Sequence, residues 1–157
     1  MAITDTELKL IAAAAIIGII SDTHGLVRPE ALAALYGSSL IIHAGDIGHE
    51  AVLEDLGGIA PVYPVRGNND TGTWARAIPD TRIVDVGGVG IYVLHDVHAL
   101  VTGQLPANVR IVVSGHSHRP SIEARNGILY VNPGSAGPRR FKLPISVARI
   151  VIQGHAV

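Results

Sequence analysis

The sequence predicts an α/β fold in which two β-sheets pack face to face, and three observations support this fold class. Apolar strand-like segments alternate with short helix-like segments through the first half of the chain. In the second half, paired apolar segments flank two turn-forming dipeptides, Gly87-Gly88 and Asn126-Gly127, which is typical of hairpins. Apolar residues make up 48% of the chain but aromatic residues only 4%, so the core must be built from Val, Ile, Leu and Ala.

The first half predicts parallel strands joined by helices. Strands are predicted over 16–21, 40–44 and 61–65, with helices over 29–36 and 50–56. Pro29 suits the first turn of the first helix, and Gly57-Gly58 ends the second one. A strand–helix order of this kind implies right-handed crossovers, which bring the carboxyl ends of the strands to one edge of the sheet.

The second half predicts hairpins and a closing strand. Strands are predicted over 81–86, 89–95, 109–113, 121–125, 128–132 and 146–152. No internal repeat or linker marks a second domain, so residues 1–157 are predicted to form a single domain. Residues 1–15 are ambiguous between a lead-in helix and an extension.

The apolar run over 10–20 is predicted to be a buried lead-in and strand. It is shorter than the roughly 20 residues that a membrane span needs. Asp5 and Glu7 precede Lys9, whereas a signal peptide begins with a basic segment. We therefore expect no membrane association.

Charge and cysteine content narrow the class of protein further. The net charge is −1, which gives no electrostatic footprint for nucleic acid or an anionic membrane. The one basic cluster, 138–142, is interpreted as a solvated loop, with a contact to substrate phosphate as the minor alternative. Cysteine is absent, which excludes disulfides and thiolate ligands and is compatible with the predicted cytoplasmic location.

Short polar motifs follow the predicted strands and carry the chemistry. They are Asp22-x-His24, Gly45-Asp46, Gly67-Asn68-Asn69-Asp70, His95-Asp96 and Gly115-His116-Ser117-His118. Their oxygen and imidazole donors suit a divalent cation such as Mn²⁺, Fe²⁺, Ni²⁺ or Zn²⁺. In an extended strand end, the i, i+2 spacing would put Asp22 and His24 on the same side. His43 and His49, beside the Asp46 motif, are predicted to be packed or hydrogen-bonded rather than ligands.

The ordered set D-x-H, G-D, G-N-x-D, H and G-H-x-H resembles the calcineurin-like metallophosphoesterases. The later Asn132-Pro133-Gly134-Ser135 makes it most similar to the small bacterial and archaeal phosphodiesterase branch. The resemblance implies a four-layer α/β/β/α sandwich of two mixed sheets flanked by helices. It also implies two metal ions: the first held by Asp22, His24 and His118, the second by Asn68, His95 and His116, with Asp46 bridging both.

The resemblance further implies a phosphoesterase that hydrolyses phosphodiesters or small phosphate compounds. A metal-bridging hydroxide would attack phosphorus while two divalent ions hold the phosphate oxygens. Mn²⁺ is our first choice of metal, with Ni²⁺, Fe²⁺ and Zn²⁺ as alternatives. The expected partner is a small phosphate ester rather than a nucleic acid or membrane, and a homodimer or homotetramer is the prior expectation.

Three residues are predicted to act beside the metals. Asn69 stands where many family members carry a His, and an amide donates a hydrogen bond but cannot deliver a proton. Asp70 is predicted to orient a ligand or a neighbouring His. The usual H-G-H motif reads His95-Asp96-Val97-His98, so His98 is a candidate to replace the missing acid.

Two other functions remain open at this point. The scaffold subunit of retromer resembles the same family and is better known for binding partners, so a metal-binding interaction protein with little catalysis is the alternative. Hydrolysis of another bond, such as an amide, is compatible with the ligand set.

Overall fold

The computed structural model describes residues 14–154 and 157. The predicted lead-in over 1–15 therefore lies outside the described residues, except for Ala14 and Ala15, which belong to the first strand. Within the described ranges the strands are β1 (Ala14–Ile20), β2 (Leu40–His43), β3 (Val62–Pro64), β4 (Thr81–Val86), β5 (Val89–Leu94), β6 (Val109–Val113), β7 (Ser121–Arg125), β8 (Ile128–Asn132) and β9 (Ala148–Gln153). The helices are α1 (Pro29–Leu35) and α2 (Glu50–Gly57), with 3₁₀ turns at Thr73–Ala77, Val97–Ala99 and Thr102–Gln104.

The strands form two mixed sheets, which confirms the predicted fold class. The first sheet has the order β3-β2-β1-β9, in which β1, β2 and β3 are parallel as predicted. The second has the order β4-β5-β6-β8-β7, with antiparallel hairpins β4-β5 and β7-β8 at its edges and parallel pairs between them. Strand β9 returns to the first sheet, antiparallel to β1.

The main core lies between the two sheets and is aliphatic. Alternate residues of β1, Ile17 and Ile19, are fully buried against Ile91 of β5 and Ile111 of β6 in one cluster. Because side chains alternate along a strand, Ile20 points to the other face and packs with the residues of α1 and α2. Full burial of an Ile side chain contributes roughly 1.5–3 kcal/mol, so both faces of β1 stabilise the fold.

The outer face of the second sheet is covered by a thin layer rather than a long helix. Val112 of β6 is buried on that face against Leu100 and Leu105, which belong to the segment with the 3₁₀ turns Val97–Ala99 and Thr102–Gln104. The α/β/β/α sandwich is therefore present with few helices. Over the ranges 14–154 and 157, no helix combines the length and apolarity needed to cross a membrane.

The predicted motifs follow strands of both sheets. Asp22, Asp46 and Asn68 come after β1, β2 and β3, while His95 follows β5 and His116 follows β6. Two backbone hydrogen bonds join these strand ends. The Asp22 amide donates to the Gly45 carbonyl (3.0 Å), and the Gly115 amide donates to the His95 carbonyl (2.9 Å). The fold thus brings the predicted ligands to one edge of the sandwich.

Candidate metal centre

Most of the predicted ligands have a left-handed backbone conformation. Seven non-glycine residues in the described part of the chain have positive φ, and five of them are predicted ligands: Asp22 (54°), His24 (47°), Asp46 (52°), His116 (68°) and His118 (60°). The extended backbone expected at Asp22 and His24 from their i, i+2 spacing is therefore wrong. Each such residue costs on the order of 1–3 kcal/mol and persists only where its surroundings enforce it, which is typical of functional sites.

Asp22, His24 and His118 form the first cluster of donor atoms. The Asp22 Oδ1 atom lies 3.3 Å from His118 Nε2 and 3.9 Å from His24 Nε2. The two imidazole Nε2 atoms are 3.4 Å apart. These three side chains form a group whose donor atoms could surround one cation.

The two oxygens of Asp22 have different surroundings. Oδ2 accepts hydrogen bonds from the Ser21 hydroxyl (2.7 Å) and the His116 amide (3.1 Å). Oδ1 is buried and, within residues 14–154 and 157, has no hydrogen-bond partner. A buried carboxylate oxygen without a partner carries a large desolvation cost. A cation among the neighbouring imidazoles would remove that cost.

Asn68, His95 and His116 form a second cluster. The His116 Nδ1 atom lies 3.2 Å from Asn68 Oδ1 and 3.3 Å from His95 Nε2. The other ring nitrogen of His95, Nδ1, is 2.7 Å from the Ala44 carbonyl oxygen, which can only accept. Nδ1 therefore carries a proton, and in the neutral ring Nε2 presents its lone pair to the cluster.

Asp46 lies between the two clusters. Its Oδ2 atom is 3.9 Å from His24 Nε2 and 3.4 Å from His95 Nε2. Asn69 donates to this carboxylate twice, from its amide nitrogen to Oδ1 (2.9 Å) and from its side chain to Oδ2 (2.8 Å). Burial alone would raise the pKa of Asp46, but the hydrogen bonds from His95 and Asn69 outweigh it and hold the pKa well below its usual range. Burial also opposes a charged His95, yet the bond to Asp46 raises the pKa of that imidazole.

The chain is similar in sequence to known proteins. Residues 16–155 match the model of the calcineurin-like phosphoesterase superfamily domain. The chain belongs to this superfamily. It is 32% identical over 148 residues to a probable metallophosphoesterase of Methanothermobacter thermautotrophicus, covering 86% of each chain. It is 31% identical over 143 residues to a probable metallophosphoesterase of Methanocaldococcus jannaschii, covering 83% of this chain and 72% of that one.

Solved structures of other proteins share the fold. An archaeal phosphodiesterase superposes with a TM-score of 0.70 at 22% identity, covering 87% of this chain and 99% of that chain. The phosphoesterase YfcE of E. coli gives 0.65 at 26% identity, covering 85% and 87%. Vacuolar protein sorting 29 of Cryptosporidium parvum gives 0.76 at 22% identity, covering 90% and 86%. The chain is thus similar to phosphoesterases and to a sorting protein alike.

Asp70 connects the two loops that carry the predicted ligands Asp46 and Asn68. Its carboxylate accepts hydrogen bonds from the backbone amides of Ile47 (3.1 Å), Gly48 (2.9 Å) and Gly67 (2.9 Å). The Ile47 and Gly48 amides follow Asp46 on one loop, and the Gly67 amide precedes Asn68 on the other. Asp70 therefore contacts the backbone that carries the ligands, and its hydrogen bonds within the described residues do not reach a histidine.

His98 lies at the rim of the site on the 3₁₀ turn Val97–Ala99. Its side chain is 88% exposed, and its Nδ1 is 2.9 Å from Asp96 Oδ1. The other oxygen of Asp96 is 3.9 Å from His116 Nε2. The backbone amide of His98 donates to Asp96, which lowers the pKa of that carboxyl. Asp96 therefore lies between His98 and His116 of the second cluster.

His43 is a buried histidine that connects two ligand loops. The Gly45 amide donates to its Nδ1 (3.2 Å), so the neutral ring carries its proton on Nε2, which lies 2.9 Å from the Thr23 hydroxyl oxygen. Thr23 in turn donates to the Ile47 carbonyl (2.8 Å). Burial lowers the pKa of His43 to about 3. The predicted packed, hydrogen-bonded role is confirmed, but its support of both loops was not visible in the sequence.

The Asn132-Pro133-Gly134-Ser135 motif holds the remaining loops. The Asn132 side chain donates to the Gly115 carbonyl (2.8 Å) and to Ser117 Oγ (3.1 Å). The Ser135 hydroxyl donates to the Asp22 carbonyl (2.9 Å). The motif therefore joins the His116–His118 loop to the Asp22 loop.

Proposed function

We propose that this protein is a dinuclear metal-dependent phosphoesterase that hydrolyses phosphodiesters or small phosphate compounds. One observation carries the proposal: Asp22 Oδ1 is buried, has no hydrogen-bond partner among the described residues, and lies 3.3–4.0 Å from the Nε2 atoms of three histidines. Those histidines are His24, His95 and His118. An oxygen in this position is suited to a cation and to little else.

Each predicted ligand has a place in the two clusters. Asp22, His24 and His118 would hold the first ion, and Asn68, His95 and His116 the second. Asp46, which faces both clusters, would contribute to each. Divalent ions bound there would generate a nucleophile from water at neutral pH and neutralise charge on the phosphate oxygens. Mn²⁺ remains our first choice among the cations that such donors accept.

Many family members carry a His at the position of Asn69, and here we assign its role in protonating the leaving group to His98. Asn69 uses its side chain to hold Asp46 and has no proton to give. His98 is exposed at the rim with Asp96 fixing its ring, and we assign it the proton that an alkoxide leaving group requires. Esters with good leaving groups need no such proton, so aryl esters should turn over fastest.

The surroundings of the second cluster favour small substrates. An open cavity of about 470 Å³ is lined by Asn68, Arg66 and Arg76, and a neighbouring one of about 270 Å³ reaches His116. Arg66 is paired with Asp80 (2.7 Å) at the boundary of the two cavities. Asp70 and Asp80 also line the larger cavity and offset its two guanidinium groups, so the cavity offers room for one ester arm next to the second ion rather than net positive charge.

The proposal is tested with bis(p-nitrophenyl) phosphate and added Mn²⁺ or Ni²⁺. We expect metal-dependent release of p-nitrophenol, and Asp46→Asn should reduce kcat/KM by more than about 100-fold. Asp55→Asn makes the same chemical change at an exposed position of α2 and should retain activity. Metal analysis of each preparation accompanies the kinetics. A fully metal-loaded protein without turnover would contradict the proposal.

The alternative is a metal-binding interaction protein with little or no catalysis. Asn69 favours it, because the residue that can protonate a leaving group is absent from that position. A panel of phosphomonoesters, phosphodiesters, cyclic nucleotides and amides would separate the alternative from the enzyme and identify the scissile bond. The cytoplasmic location and the homodimer or homotetramer stay predictions.

A further inference from the structure

A basic loop, residues 138–142, lies beside the first cluster and has no role in the proposed metal centre. It reads Pro138-Arg139-Arg140-Phe141-Lys142 and contains three of the 12 Lys and Arg residues of the chain. No Asp or Glu follows Glu123 in the sequence, so no acid within this stretch of chain offsets the loop. Positive charge is therefore concentrated in the last part of a sequence whose net charge is −1.

The stem of the basic loop is attached to the Asp22 loop. The Ala136 amide donates to the Ser21 carbonyl (3.1 Å). At Gly137, a Cβ atom would stand 2.2 Å from the Thr23 carbonyl oxygen, so only glycine permits this approach.

Phe141 is the only Phe in the chain and is 92% exposed. Its φ of 51° is left-handed, and the Leu143 amide donates to the Arg140 carbonyl (3.1 Å) to close the turn around it. Apart from the five ligands, the other non-glycine residue with positive φ in the described ranges is Asn126, which occupies an ordinary Asn-Gly turn. An exposed aromatic ring adds nothing to the core, and its backbone is disfavoured. Folding does not explain its position, but a ligand would.

The ring borders an open groove next to the metal centre. A space of about 540 Å³ is lined by Arg119, Phe141, Lys142 and Leu143. Arg119 directly follows His118 in the sequence, so the backbone connects the lining of this groove to the first cluster. It combines an aromatic face with two cationic side chains, and none of its lining residues is acidic.

We propose that this groove binds the nucleoside arm of a phosphodiester substrate, with the base stacked on Phe141 and the cationic side chains facing its phosphate. The inference rests on the proposed function and narrows its substrate class to small nucleotide-containing diesters. Every base has a π-face, and stacking on an aromatic side chain beside cationic groups is the usual way to hold an unpaired nucleotide. A diester of two alkyl groups would present the same phosphate to the cationic side chains but no base to the ring.

Two diesters with the same leaving group test the inference on the Mn²⁺-loaded protein. Thymidine 5′-(p-nitrophenyl phosphate) and ethyl p-nitrophenyl phosphate both release p-nitrophenol, so the ratio of their kcat/KM values isolates the nucleoside arm. Phe141→Ala should lower this ratio by about 5- to 150-fold, and Phe141→Tyr should preserve it. Tyr36→Ala removes an aromatic ring that is 79% exposed on the end of α1 and serves as the matched control.

The outcomes separate this inference from the proposed function. A ratio that does not change in Phe141→Ala, or that falls equally in Tyr36→Ala, overturns the nucleoside subsite while leaving the phosphoesterase intact. If neither ester is hydrolysed, the proposed function fails, and the subsite is decided by calorimetric binding of thymidine 5′-monophosphate with chelator present. Weaker binding to Phe141→Ala than to the wild type supports the subsite, and equal binding refutes it.

Discussion

The buried His43 predicts a specific loss of stability in acid. Its folded-state pKa is about 3, against 6.5 for an ordinary His. Between these two values the unfolded chain binds one proton more than the folded protein, so the free energy of unfolding falls as the pH falls. The slope approaches about 1.36 kcal/mol per pH unit. Between pH 7 and pH 5 this amounts to about 2 kcal/mol from His43 alone.

The assay is urea unfolding at pH 7, 6 and 5, with chelator present so that metal binding does not add its own pH dependence. His43→Gln keeps a polar side chain between the two loops but cannot take up the proton. The wild type should lose about 2 kcal/mol more than this variant from pH 7 to pH 5, although the variant starts from a lower stability. Parallel pH profiles for the two proteins would refute a neutral, buried His43. Other titrating histidines contribute equally to both and cancel in the difference.

Two further substitutions test the loops that carry the ligands. At Gly67 a Cβ atom would lie 2.1 Å from the Asp46 amide nitrogen, so Gly67→Ala should cost about 1–3 kcal/mol in urea unfolding and lower the metal content of the protein. Gly57→Ala, in α2 with nothing within 4 Å, is the control and should raise stability by up to about 1 kcal/mol. Asp70→Asn replaces one accepting oxygen by a donor against three backbone amides, so metal affinity should fall by about 10- to 100-fold in competition with a chelating dye. Unchanged affinity in this variant would contradict the role of Asp70 behind the loops.

Much of the fold could be predicted because its signals are local. The Asn126-Gly127 turn between two strand-like segments identified the β7-β8 hairpin, which forms as expected. Pro29 marked the first turn of α1 in the same way. The partner of β9 could not be predicted, since an alternating strand shows which face is buried but not which edge it joins.

The site was predicted by residue type and position rather than by conformation. Strand ends of a parallel sheet meet at one edge, and that was enough to group Asp22, Asp46 and Asn68. The left-handed backbone at Asp22 and His24 was missed, because spacing alone does not reveal the sign of φ. The double contact of Asn69 with Asp46 was also missed, since it depends on where two loops cross rather than on either motif.

The left-handed ligand positions restrict the sequence in a second, independent way. Asp, Asn and His are the side chains that tolerate positive φ best after glycine, and they are also donors that divalent cations accept. At Asp22 and Asp46 a Glu would keep the charge but fit the backbone less well, while an Asn would fit the backbone and lose the charge. The positive φ and the binding of a divalent cation therefore favour the same few amino acids at these positions. A protein of this fold that bound no metal would still be held to much of this motif by its backbone, so the motif by itself does not distinguish an enzyme from a relative without activity.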